Sequence, residues 1–134
     1  NIDTNAYTAG LEINVNDVNS GASAIHFTHR GSGDTIVTAN DITTKTGHGI
    51  WFSTYGTGDV NIAAHDINTA GIGVWFDTYL TTKDLNVNVN NITSGGDSIN
   101  AIHSGTGVAT ITSTGTIKSD GVGINLLNDT ATFN

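Results

Sequence analysis

Two tetrapeptides 24 residues apart, Gly49-Ile50-Trp51-Phe52 and Gly73-Val74-Trp75-Phe76, are near-copies of each other. Each runs on through a short polar step to a tyrosine, Ser53-Thr54-Tyr55 in the first and Asp77-Thr78-Tyr79 in the second. A repeat of this length constrains the fold more than any single residue does. One unit is too short to bury its own apolar face, so it must stack on its neighbours.

The repeat extends along the chain. An Ile or Val, in most copies preceded by Asp or Asn, recurs as Val18, Ile42, Ile67, Ile92 and Ile117, in steps of 24, 25, 25 and 25. Before each anchor lies an alternating stretch such as Leu11-x-Ile13-x-Val15, Val60-x-Ile62-x-Ala64 or Leu85-x-Val87-x-Val89. Alternation with period 2 predicts a strand with one buried face. The fifth copy reaches its anchor one residue late, which predicts a bulge at Gly115. Ala131-x-Phe133 reads as the start of a sixth copy.

After each anchor comes a turn of small residues, including Asn19-Ser20-Gly21, Asn68-Thr69-Ala70-Gly71 and Lys118-Ser119-Asp120-Gly121. A second strand then follows: Ile25-His26-Phe27, Ile50-Trp51-Phe52, Val74-Trp75-Phe76, Ile102-His103-Ser104 and Ile124-Asn125-Leu126. No segment keeps a helical period. A sandwich of hairpins would not require like residues at like places in every copy, whereas parallel stacking of equivalent strands does. The expectation is an all-β chain: a right-handed parallel β-helix, or solenoid, of about five coils of 22–25 residues. Residues 1–134 then form a single β-helix segment. With no polar cap evident at either end and Asn1 in place of Met, it reads as a fragment of a longer solenoid.

Composition narrows the partners. Charged residues are only 12% of the chain, so Asn, Thr, Ser and 17 glycines supply the polar surface. The formal charge is −8, and the four basic residues Arg30, Lys45, Lys83 and Lys118 are scattered. Nucleic acid needs clustered cations, so it is disfavoured as a partner. No apolar run reaches the ~18 residues of a membrane span, so this segment is not expected to insert in a bilayer. With no cysteine there is no disulfide framework or thiol site to consider, and the chain calls for no cofactor.

The Asn/Thr/Ser/Gly-rich coils, the absence of Cys and Pro, the acidity, and phrases such as Gly58-Asp59-Val60-Asn61-Ile62 and Ser119-Asp120-Gly121-Val122-Gly123-Ile124 resemble bacterial autotransporter passenger domains of the pertactin-like type. The resemblance spans about residues 11–133 and rests on repeat style. It implies an extracellular location, on the bacterial surface or secreted, and roles in adhesion, autoaggregation or action on host cells. It carries over no catalytic residue, and the chain has no Gly-x-Ser-x-Gly nucleophile motif.

The middle residue of the second strand has inward-facing neighbours on both sides, so it should face solvent. That column reads His26, Trp51, Trp75, His103 and Asn125, with Tyr55 and Tyr79 near the strand ends. It can cover the sheet by self-stacking, or it can present an aromatic stripe to a sugar or a protein. Two aspartate series recur as well: Asp34, Asp59 and Asp84, and Asp17, Asp41 and Asp66 with Asn91 next. Capping of turns by their side chains accounts for both, with calcium along a ladder as the alternative. His26, His29, Arg30 and Asp34 read as a polar surface loop. His48 and His65 fall in different turns and make no metal-ligand spacing, so no metal site is expected.

The sequence therefore predicts a non-enzymatic passenger segment. It would bind a host-cell surface protein or glycan, as an adhesin or virulence factor, with self-association as a further mode. The binding residues would be Trp51, Trp75, His26, His103, Tyr55 and Tyr79. The alternatives are a secreted effector for a specific host receptor, a structural spacer of a longer passenger, and a glycan-degrading β-helix enzyme.

Overall fold

The computed structural model describes residues 5–6 and 9–128. Among them are thirteen strands and no helix. In chain order they are β1 (Asn5–Ala6), β2 (Leu11–Asn14), β3 (Val18–Ser20), β4 (Ile25–His29), β5 (Thr35–Thr44), β6 (Ile50–Thr54) and β7 (Val60–Thr69). They continue as β8 (Val74–Thr78), β9 (Leu85–Ser94), β10 (Ile99–His103), β11 (Ala109–Ser113), β12 (Ile117–Ser119) and β13 (Ile124–Asn128). The chain alternates between two sheets, and every strand pairing is parallel. One sheet has the order β1-β4-β6-β8-β10-β13. The other has the order β11-β9-β7-β5-β2, with β3 and β12 continuing its outer rungs. This is a β-solenoid of about five turns, as the repeat requires.

The register sets the coil length. Leu11 pairs with Thr35, Thr35 with Val60, Val60 with Leu85, and Leu85 with Ala109. The core lies between the sheets as stacked columns. Ile25, Ile50, Val74 and Ile99 form one column, and Phe27, Phe52, Phe76 and Ala101 the next; all eight are buried. The phenyl rings stack 4.9 and 5.2 Å apart. Each such side chain contributes about 1.5–3 kcal/mol, realised only when the coils lie on one another.

The long strands β5, β7 and β9 break their alternation once. Asn40-Asp41, His65-Asp66 and Asn90-Asn91 are successive residues that both point away from the core. The strand therefore turns a corner there, and the apolar anchors Ile42, Ile67 and Ile92 fall back inside.

Three sequence expectations change. In the fourth coil Ile99, not Ile102, stacks on Val74, and Asn100 follows Trp75 in register. His103 therefore leaves the outward column: it is fully buried, with Nδ1 2.5 Å from Thr78 Oγ1. The physical reason is spacing, because Ile99 lies seven residues after the anchor Ile92, as Val74 does after Ile67. His29 is likewise not in a surface loop. It is the third inward residue of β4, buried, with Nδ1 2.7 Å from Thr35 Oγ1. The bulge does occur at Gly115: three residues separate Ser113 from Ile117 where two separate their partners Val89 and Ile92. Ala131 and Phe133 lie outside the described residues.

Candidate binding face

The outer face of the first sheet carries three columns. His26, Trp51, Trp75, Asn100 and Asn125 form the first, and Thr28, Ser53, Asp77, Ile102 and Leu127 the second. Tyr55 and Tyr79 stand just beyond the ends of β6 and β8. Parallel pairing without offset places identical positions one rung apart, so rings of the same kind meet face to face. His26 stacks on Trp51 at 4.1 Å and 8°, and Trp51 on Trp75 at 5.1 Å and 3°. His48 comes from the preceding turn and packs edge-on against both indoles, at 5.8 and 5.2 Å. The two tyrosines stack at 4.1 Å, and the Arg30 guanidinium lies 4.6 Å over Tyr55.

This geometry settles how the aromatic residues are presented. The broad faces of Trp51 are covered by His26 and Trp75, and those of Tyr55 by Arg30 and Tyr79. What the ladders offer to solvent is ring edges. Among the described residues, Trp75 and Tyr79 each have an aromatic partner on one face only, because the ladder ends where Asn100 takes the next rung. Both Trp residues are half-buried, while Tyr55 and Tyr79 are 40% and 41% exposed. The same side chains thus cover the sheet and leave ring edges exposed.

Asp77 lies between the two ladders. Its Oδ1 is shut off from solvent and has no hydrogen-bond partner, and burial pushes its carboxyl above the usual range. In the sequence Asp77 is no more than the first residue of the polar step to Tyr79. Burial also holds the His48 imidazole below its ordinary range, and His48 Nδ1 accepts the Ile72 N–H at 3.1 Å. Next to His26 and Trp51, Ser20 at the end of β3 and the turn residues Ala22 and Ser23 complete a cleft of about 210 Å³. Of the six residues expected to form a site, five share this face; His103 is in the core.

Both Asx series reach from one coil to the backbone of the next. Asp34 Oδ1 accepts the Asp59 N–H at 2.9 Å, Asp59 Oδ1 the Asp84 N–H at 3.2 Å, and Asp84 Oδ1 the Val108 N–H at 2.8 Å. These carboxylates cap the next coil's backbone through Oδ1. At the strand corners Asp17 Oδ1 accepts the Asp41 N–H at 3.4 Å, and Asp66 Oδ1 accepts the Asn90 and Asn91 side-chain amides at 3.2 and 2.9 Å; Asp41 and Asp66 also meet His65, a neighbour that only coil stacking brings to them.

No protein-family model matches this chain, and neither the curated proteins nor the solved structures searched contain a match to it.

Proposed function

We propose that the chain is an extracellular segment of a bacterial autotransporter passenger that works without catalysis, by binding a host-cell surface protein. The observation that supports this most is the face just described: two aromatic ladders on either side of a desolvated aspartate, on a rigid stack of strands. Tyr and Trp are the side chains most enriched at binding hot spots. Ring edges presented in a row suit contact with a protein surface better than they suit a sugar, which stacks on open ring faces. Adhesion through this face, with self-association of copies as a further mode, gives the segment its role as a virulence factor.

A glycan partner is the second reading. The faces of Trp75 and Tyr79 that carry no aromatic partner and the hydroxyl-bearing cleft beside His26 favour it. The test is saturable binding of the purified segment to cultured host cells, beside a folded Trp75→Ala/Tyr79→Ala variant. Protease treatment of the cells abolishes binding if the partner is a protein, and glycosidase treatment abolishes it if the partner is a glycan. Equal binding by variant and wild type moves the site away from this face.

A further inference from the structure

On the reading that this face binds a host protein, we infer that the end of the tyrosine ladder, at Tyr79 beside Asp77, is a socket for an arginine side chain of that protein.

Register defines the socket. His29, Thr54, Thr78 and His103 pair in successive coils. The residues that follow them, Arg30, Tyr55, Tyr79 and Ser104, therefore share one column, and the N–H groups of Tyr55, Tyr79 and Ser104 each donate to the coil before. At one end the Arg30 guanidinium lies 4.6 Å over the Tyr55 ring, and the two tyrosines stack behind it at 4.1 Å. At the other end the next residue is Ser104, whose side chain is too short to cover a phenol ring. The ladder thus carries a guanidinium on its first ring and no group of that size on its last, and Tyr79 is exposed.

Asp77 supplies the charge. It lies two residues before Tyr79 on the same face, about 7 Å away along the strand. A cation–π contact reaches about 6 Å from a ring centroid and a charge-assisted hydrogen bond about 2.8 Å, so one guanidinium spans both groups. Asp17, Asp34, Asp59, Asp66, Asp84 and Asp97 each accept a hydrogen bond from the following coil. Asp77 does not: it stands between Ser53 and Ile102 in its column, and its buried Oδ1 has no partner among the described residues. Burial pushes its carboxyl up, and no cation of the chain offsets that cost. A guanidinium arriving from outside relieves it, in surroundings where charges attract more strongly than in water.

The site selects arginine over lysine. A guanidinium is planar, stacks on aromatic faces and is more weakly hydrated than an ammonium, so it gives up water more readily at a half-buried acid. Ile102 and Leu127, both exposed, follow Asp77 in its column and offer an apolar bed to the arginine stem. The chain's single arginine, Arg30, already lies on its own Tyr55, so the incoming group belongs to another protein and not to a second copy. The net charge of −8 favours the approach of a basic segment.

The test titrates Nα-acetyl-arginine methylamide into the isotope-labelled segment, followed by NMR, with the lysine and glutamine analogues in parallel. The expected result is saturable shifts at the Asp77 carboxyl carbon and the Tyr79 ring, with a Kd on the order of 10 mM. The lysine analogue binds at least about threefold more weakly, and the glutamine analogue does not saturate. In Asp77→Asn the affinity for the arginine probe falls at least about fivefold, while Tm stays at or above that of the wild type. Absence of saturation overturns the inference, as does an equal response to lysine or an unchanged affinity in Asp77→Asn. A lowered Tm in Asp77→Asn overturns it too, because the carboxylate would then serve the fold. Binding to cultured host cells separates the socket from the face: loss in Trp75→Ala/Tyr79→Ala but not in Asp77→Asn keeps the face and overturns the socket. Loss in both variants supports the socket, and loss in neither overturns the face and the socket together.

Discussion

Trp51 and Trp75 occupy equivalent positions in successive coils, with their ring centroids 5.1 Å apart and their planes within 3° of parallel. The contact holds neighbouring rungs together from outside, while Phe52 and Phe76 do the same from inside. Trp51 has His26 on its other face, whereas Trp75 is the last ring of its ladder. Trp51→Ala is therefore expected to cost about 2 kcal/mol, combining lost burial with two lost stacking contacts, and Trp75→Ala less. Urea unfolding checks the order through the shift of midpoint at constant slope. Either substitution should also remove the exciton couplet of the paired indoles from the circular dichroism spectrum.

Close coil approach gives the second prediction. A Cβ on Gly73 would come 2.4 Å from the Ser98 carbonyl oxygen and 2.7 Å from Ile92 Cγ2, with no flexible end to yield. At Gly21 a Cβ meets nothing within 4 Å. Gly73→Ala should destabilise by about 1–3 kcal/mol through forced separation of the third and fourth coils, and Gly21→Ala should stay within about 0.5 kcal/mol. Thermal unfolding of the two variants side by side decides it; equal effects would mean that the coils are not packed at this distance.

The third prediction concerns pH. Burial holds the His103 imidazole below its ordinary range, against the opposing pull of the Gly107 carbonyl and the Asp84 charge. The unfolded chain binds this proton near pH 6.5, and the folded chain only at lower pH. Between those values the unfolded state carries more protons, so stability rises with pH. The contribution of His103 is fully present above about pH 6.5 and is lost as pH falls through the folded value. His48, also lowered by burial, acts in the same direction. His65 runs the other way: its hydrogen bond to Asp41 and the Asp66 charge raise it, so its contribution fades as pH rises. Thermal unfolding of wild type and His103→Gln between about pH 5 and 8 isolates the buried group, and the variant should lose part of the acid-side fall in Tm.

The repeat was legible because coil stacking acts on every copy alike. The anchors Ile42, Ile67 and Ile92 pair in register as their spacing implied. The error in the fourth coil came from local likeness: Ala101-Ile102-His103 imitates Ala24-Ile25-His26, yet the seven-residue step from the anchor selects Ile99. His29 was misread for a related reason. Continuing the alternation of Ile25 and Phe27 by one step places it inside. The meeting of Asp41 with His65 could not be read locally at all. They are 24 residues apart and become neighbours only once β5 and β7 turn their corners together. The aromatic column was predicted at Trp51 and Trp75, but its edge-on presentation follows from the tight rung spacing, which residue types alone do not reveal.

The staircase of Asp34, Asp59 and Asp84 gives the solenoid a chemical direction. Each carboxylate reaches toward the coil that follows it and accepts that coil's N–H. A break between two coils would therefore leave unlike surfaces: carboxylate acceptors on the earlier coil, amide donors on the later one. Broken faces of the same kind would repel or mismatch, and opposite kinds would complement. The polarity of parallel pairing is thus written on the outside of the stack in charge as well as in strand direction. The staircase stops at Val108, which takes the aspartate's place in the next coil, uses the Asp84 carboxylate and offers none of its own.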